Sequence, residues 1–253
     1  MRSRRKIAAV ADREYGSMLG GQLSFAASEA YKLLRTNLNF ALPDEQQCRI
    51  VGVTSSVRGE GKSTTTMNLA YSIAETGKLV LVIEADMRLP TFSKRLGLNN
   101  ARGISNLLAG LCTGADVLQK SGLHRNLWVI PAGDIPPNPS ELLGSEQMRI
   151  TLEVLSKDFD YILLDLPPVT AVSDPLVVSK LVSGMVLVVR QNYSSRRFLT
   201  EAVRQLRFAD AKLLGFVMTG ANAPDEGRRR YYEKYGYSYG YGEESRKKRN
   251  KAS

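Results

Sequence analysis

One stretch limits what this chain can fold into. Residues 49–54 read RIVGVT and run directly into SSVRGEGKST, after which apolar residues recur at helical spacing. A short apolar strand, a glycine-bearing loop and a helix opening at Gly61-Lys62-Ser63 make a phosphate-binding unit. Gly59 and Gly61 let the backbone approach phosphate oxygens closely. Consecutive peptide N–H groups and the helix N-terminus supply partial positive charge. Lys62 can reach the β and γ phosphates, and the Ser63 hydroxyl is placed to bind Mg²⁺. Ser56 stands at the first position of the G-x-x-x-x-G-K-S/T pattern. The candidate nucleotide-binding residues are Ser56, Arg58, Gly59, Glu60, Gly61, Lys62, Ser63 and Thr64.

The rest of the chain supplies the sheet that such a unit needs. Leu79–Ile83, Leu127–Ile130, Tyr161–Leu164 and Met185–Val189 are short and almost wholly apolar, as strands covered on both faces are, and Leu213–Met218 closes the series. Between them, residues 25–41, 63–76, 147–157 and 196–208 have helical character, with Gly77 as a stop. The predicted fold class is α/β: a P-loop NTPase-like, mostly parallel sheet flanked by helices on both faces. A single domain is expected over 25–226. The Pro-rich stretch 131–143, PAGDIPPNPSELL, falls on the carboxyl side of a strand, where such sheets bind ligands.

The 253 residues carry a formal charge of +10. Residues 1–13 contribute +4 and residues 227–253 contribute +6, so the body between them is neutral. Segments 1–24 and 227–253 read as flexible basic tails with too little apolar content to order themselves. No apolar run is long enough to span a membrane, and the first dozen residues are too polar for a secretory signal. Two cysteines and one histidine cannot build a disulfide framework or a Cys/His zinc site. A soluble cytoplasmic protein is expected.

Acidic residues end two further strands. Glu84 and Asp86 follow LVLVI, and Asp165 follows YILL ahead of Pro167 and Pro168. In a parallel sheet these ends share the edge that carries the phosphate loop. A carboxylate there can hold a metal, directly or through water, or accept a proton from an attacking hydroxyl.

Together these motifs resemble the bacterial tyrosine kinases (BY-kinases) of capsule and exopolysaccharide export. The resemblance runs over about residues 25–241. It includes SSVRGEGKST, IEADMRLP, the DLPP after YILL, GDIPPNPSELL and the terminal tyrosines. SEAYKLLRTN is similar to the family's E-x-x-R-x-x-R segment, with Glu29, Lys32 and Arg35 at its positions. The resemblance implies ATP and Mg²⁺ as cofactors and transfer of the γ-phosphoryl group to tyrosines between subunits. It implies Lys62, Glu84, Asp86 and Asp165 as catalytic, with Ser63, Asp86 and Asp165 at the metal. Glu84 stands where the family usually has Asp, and the proton acceptor is either Glu84 or Asp86. Thr219 stands where the family usually has Asn near the adenine. The resemblance further implies a ring-like homo-oligomer built through Glu29, Lys32 and Arg35, and a tyrosine phosphatase that opposes the kinase. It also implies a membrane-embedded polysaccharide co-polymerase as activator, expected here as a separate chain that holds the kinase at the inner membrane face.

Tyr231, Tyr232, Tyr235, Tyr237, Tyr239 and Tyr241 crowd the C-terminal segment among glycines and basic residues, and read as autophosphorylation sites. Each phosphate adds about −1.5 to −2 charge, enough to reverse the segment's sign when several are present. Two other readings compete. A ParA/MinD-type ATPase switch shares the fold and the acidic motifs, but its loop usually has a signature lysine where this chain has Val57. A nucleic-acid binder would explain the Tyr/Gly/Arg ends but not Glu84, Asp86 and Asp165. No specific nucleic-acid partner is expected.

Overall fold

The computed structural model describes residues 19–42 and 48–221. A 3₁₀ turn, Gly20–Gln22, leads into α1, Phe25–Ala41. The chain continues through β1 (Arg49–Ser55), α2 (Lys62–Ala74), β2 (Val80–Glu84), α3 (Phe92–Leu96), α4 (Ile104–Leu108), α5 (Gly114–Val117), β3 (Gln119–Lys120) and β4 (Leu127–Ile130). There follow α6 (Pro139–Leu143), α7 (Glu146–Leu155), β5 (Tyr161–Asp165), α8 (Asp174–Val178), β6 (Gly184–Arg190), α9 (Arg196–Phe208) and β7 (Leu213–Thr219).

The seven strands lie in the order β3-β4-β2-β5-β1-β6-β7. All neighbours are parallel except β3, which runs antiparallel to β4. The apolar strands alternate between two cores, because successive side chains leave a strand on opposite faces. Leu81, Ile83, Ile162, Leu164 and Leu187 pack on the face that carries α4, α7 and α9. Val51, Val80, Val82, Leu163 and Val186 pack on the face that carries α1 and α2. Covering on both faces explains why these strands read as continuous apolar runs.

Several boundaries differ from expectation. Leu19–Gln22 is part of the body, not of a basic tail. Leu19 is buried, and the Gly20 N–H donates to Asn68 Oδ1 at 3.0 Å. Five short helices (α3, α4, α5, α6 and α8) occupy stretches with no helical periodicity of their own. Residues 1–18, the segment 227–253 and its six tyrosines lie outside the described residues.

The order places β1 between β5 and β6, while α2 carries the chain from β1 past β5 to β2. A crevice opens at the carboxyl ends where the connections diverge. The register sets Val53 beside Asp165 and Glu84 beside Asp165, so the phosphate loop and the acidic positions meet on one edge.

Candidate active site

Gly61 is the N-cap of α2, in the left-handed region at φ 91°. It has no side chain to satisfy the first N–H groups of the helix, and no acidic residue occupies the first turn. The helix N-terminus is therefore left open to an anion. Gly59, at φ 86°, makes the preceding left-handed step. A Cβ on Gly59 would meet the Tyr193 hydroxyl at 3.0 Å as well as straining the backbone.

Glu60 shapes the loop from inside. It is fully buried, and its carboxylate accepts the Ser56 hydroxyl at 2.7 Å, the Val57 N–H at 2.9 Å and the Ser194 hydroxyl. Ser56, at the pattern's usual glycine position, thus becomes an anchor for the loop's own acid. The Arg58 side chain is exposed, and the Thr64 hydroxyl accepts from Arg95 Nη1 at 3.2 Å.

Four predicted residues converge at the head of α2. Lys62 Nζ lies 2.7 Å from Asp86 Oδ2 and 3.6 Å from Asp165 Oδ2. The Ser63 hydroxyl donates to Asp165 Oδ2 at 2.6 Å, and the Thr66 hydroxyl donates to Asp165 Oδ1 at 3.3 Å. Burial opposes the charge of Lys62, but Asp165 and Asp86 beside it outweigh that and hold it above the ordinary lysine range. Burial pushes the Asp165 carboxyl up, against the pull of Lys62 and Ser63. Thr66 carried no sequence signal, since a hydroxyl one turn into a helix reads as ordinary.

Glu84 is not part of this convergence. It is fully buried, and its carboxylate accepts the backbone N–H groups of Thr91, of Phe92 at 2.6 Å and of Ala132 at 3.3 Å. These bonds hold the start of α3 and the end of β4 against the tip of β2. Burial raises its pKa, and the bonds from Phe92 and Thr91 pull the other way. Two residues further, Asp86 turns to Lys62 instead and accepts the Leu89 N–H at 3.2 Å.

Arg88 pairs with a residue that sequence reasoning missed. Its Nε and Nη2 each lie 3.0 Å from the Asp174 carboxylate, and Ser140 donates to the same group. Asp174 is wholly buried while the Arg88 side chain is 39% exposed. This bidentate pair ties the loop after β2 to the starts of α6 and α8. Asp174→Asn should lower stability by roughly 1–3 kcal/mol, since a charge-assisted fork is lost but the arginine can be resolvated. A thermal melt of the variant checks this.

The residues proposed from the sequence for self-association have partners within the chain. Lys32 Nζ pairs with Glu29 Oε1 at 2.8 Å along α1, and Arg35 donates to the carbonyl and hydroxyl of Ser72 near the end of α2. Thr219 also serves the phosphate loop: its hydroxyl donates to Glu60 O at 2.6 Å.

Residues 48–207 match the AAA domain family. The chain is 36% identical over 205 residues to Tyrosine-protein kinase YwqD of Bacillus subtilis (strain 168), covering 81% of this chain and 86% of the relative. The chain belongs to the bacterial tyrosine kinases. The structure of this bacterial tyrosine kinase agrees with the solved kinase domain of Escherichia coli tyrosine kinase ETK. The TM-score is 0.72 at 32% identity, over 79% of each chain. The match to Tyrosine-protein kinase wzc of Salmonella typhi, 33% identical, covers 87% of this kinase but only 30% of that relative. The enzyme is a protein-tyrosine kinase, which favours the kinase reading over the partitioning-ATPase one.

Proposed function

We propose that this kinase transfers the γ-phosphoryl group of Mg-ATP to tyrosines of its own C-terminal segment, between subunits, and thereby regulates capsular or exopolysaccharide polymerisation and export. The observation that carries the reading is the convergence of Lys62, Ser63, Asp86 and Asp165 at the open N-terminus of α2.

The donor set fits Mg²⁺. Ser63, Asp86 and Asp165 offer hard oxygen ligands, and among the described residues no group of three or more His, Cys, Asp or Glu forms a metal cage. Mg²⁺ is bound in this way by kinases, through one or two carboxylates completed by substrate phosphates and water. Bound there, it would neutralise phosphate charge and orient the phosphates. Lys62 supplies a second cation on a flexible stem, tied in this state to two carboxylates and able to turn toward the transferring group. Asp86, beside Lys62 at the head of α2, is the group we assign to take the tyrosine proton, because Glu84 is fully buried and turned away from that site to the backbone N–H groups of Thr91, Phe92 and Ala132.

The tail supports the acceptor assignment through composition: six tyrosines within eleven residues, among glycines. A tethered acceptor reaches an active site at roughly millimolar effective concentration. Self-association is supported by α1, where Leu33 and Phe40, seven residues apart, are 62% and 85% exposed. Among the described residues no helix is long and apolar enough to cross a membrane. We therefore assign membrane association to a polysaccharide co-polymerase partner, with a cognate phosphatase resetting the tail.

The test is phosphotyrosine mapping after incubation with Mg-ATP and the activating partner. Replacing Tyr231, Tyr232, Tyr235, Tyr237, Tyr239 and Tyr241 with Phe should remove most of the label and leave ATP binding intact. Undiminished labelling would place the acceptors elsewhere.

A further inference from the structure

The phosphate loop is held from behind. Ser56 O accepts the Thr170 hydroxyl at 2.6 Å, Val57 O the Ser55 hydroxyl at 2.8 Å, and Arg58 O the Tyr193 hydroxyl at 3.0 Å. Gly59 O accepts Arg190 Nη1 at 3.1 Å, Glu60 O the Thr219 hydroxyl at 2.6 Å, and Gly61 O the Thr65 N–H at 2.9 Å. Six carbonyls in succession are thus bonded, five of them by side chains. In a trans peptide the carbonyl of one residue and the N–H of the next point in opposite directions. Tying each oxygen fixes its peptide plane, and so directs the N–H groups of Arg58, Gly59, Glu60, Gly61 and Lys62 away from the groups that hold the carbonyls. Those of Arg58 through Gly61 have no acceptor among the described residues.

Two of the side chains come from a turn that the phosphate-loop pattern does not contain. Arg190 ends β6 and Tyr193 lies just beyond it, with the Arg190 guanidinium 5.4 Å from the Tyr193 ring centroid. The Arg190 backbone N–H donates to Ser194 Oγ at 2.7 Å, and Ser194 in turn donates to Glu60. We propose that Tyr193 and Arg190 are positioning residues for nucleotide binding, which fix the peptide planes of Arg58 and Gly59 so that the phosphate cradle is formed before the nucleotide arrives. The assignment rests on the kinase reading of the loop. It goes beyond that reading in naming a turn more than 130 residues away as the part that presets the loop. Preorganisation of this kind raises affinity because the loop need not be ordered by its ligand.

Tyr193→Phe is the cleaner variant, since it removes one hydroxyl and leaves the ring against Arg190. Arg190→Lys keeps the charge and loses the planar fork, so a long-range loss of attraction is not confused with a loss of position. On the full chain, calorimetry with Mg-ATP should show the Kd of Tyr193→Phe raised roughly three- to tenfold, the size of one lost hydrogen bond. Arg190→Lys should move the same way. The KM for ATP should rise in parallel, with the loss falling on KM and not on kcat at saturating ATP. Inorganic triphosphate, which has no base to touch the turn, should lose the same factor. A loss confined to ATP would make Tyr193 a base contact and overturn the proposal, as would an unchanged Kd or a Kd rise matched by a fall in Tm. Wild-type protein that binds no Mg-ATP would overturn the nucleotide reading itself; wild-type binding with an indifferent variant overturns only the positioning role.

Discussion

Lys62→Met is expected to reduce phosphotyrosine formation by about 10³-fold or more, the range seen when a cation that stabilises a transferring phosphoryl group is removed. The same substitution should also destabilise the protein, and the pH dependence separates the two effects. Lys62 is the cation held between Asp86 and Asp165, whose side chains are 7% and 1% exposed. Without it, two carboxylates remain buried side by side, which costs on the order of 3 kcal/mol at neutral pH. Asp165 already has a raised pKa in the wild type through burial, and losing the pull of Lys62 raises it further. An acid with a raised folded-state pKa favours folding below its unfolded pKa and loses that contribution as pH rises through the folded value. The Tm deficit of Lys62→Met should therefore be full near pH 7 and shrink as pH falls toward the ordinary carboxylate range near 4. Activity should not return on that side. A variant equally destabilised at all pH values would refute the charge-cluster account, and persistent phosphotyrosine at pH 7 would refute the catalytic one.

How much of this was legible in the sequence depends on where each residue's partners lie. β1, β2, β4, β5 and β6 announced themselves because covering on both faces demands apolar side chains at every position. The phosphate loop was legible because its glycines, lysine and serine act within one short segment. The short helices were not, because each depends on distant groups: α3 begins on the Glu84 carboxylate, and α8 begins at Asp174 beneath Arg88. Thr219 and Arg190 were illegible as loop supports for the same reason, since they bond Glu60 and Gly59 across 159 and 131 residues. The division of labour between Glu84 and Asp86 was left open by spacing alone. Both leave the tip of one strand, and which of them meets backbone N–H groups depends on how α3 and β4 pack around it.

That division gives the second large effect. Glu84→Ala should unfold the loop after β2 while Asp86→Asn should stop the chemistry. Removing the Glu84 carboxylate strands the N–H groups of Thr91, Phe92 and Ala132, each worth about 1–3 kcal/mol when buried without an acceptor. Relief of the buried charge offsets part of this, since burial already disfavours the ionised form of Glu84. The net loss should be on the order of 3 kcal/mol, read as a lowered Tm. Asp86 by contrast accepts one backbone N–H and one ammonium on separate oxygens, and an amide of the same shape keeps one acceptor oxygen for one of the two. Asp86→Asn should lose about 1–2 kcal/mol of stability, less than Glu84→Ala because Asp165 still pairs with Lys62, yet lose about 10²–10⁴-fold in kcat as the proton acceptor is removed. Measured per folded molecule, Glu84→Ala should retain turnover that Asp86→Asn lacks. The opposite pattern, a Glu84→Ala protein of wild-type Tm with no turnover, would assign the proton to Glu84 and leave Asp86 to the metal alone.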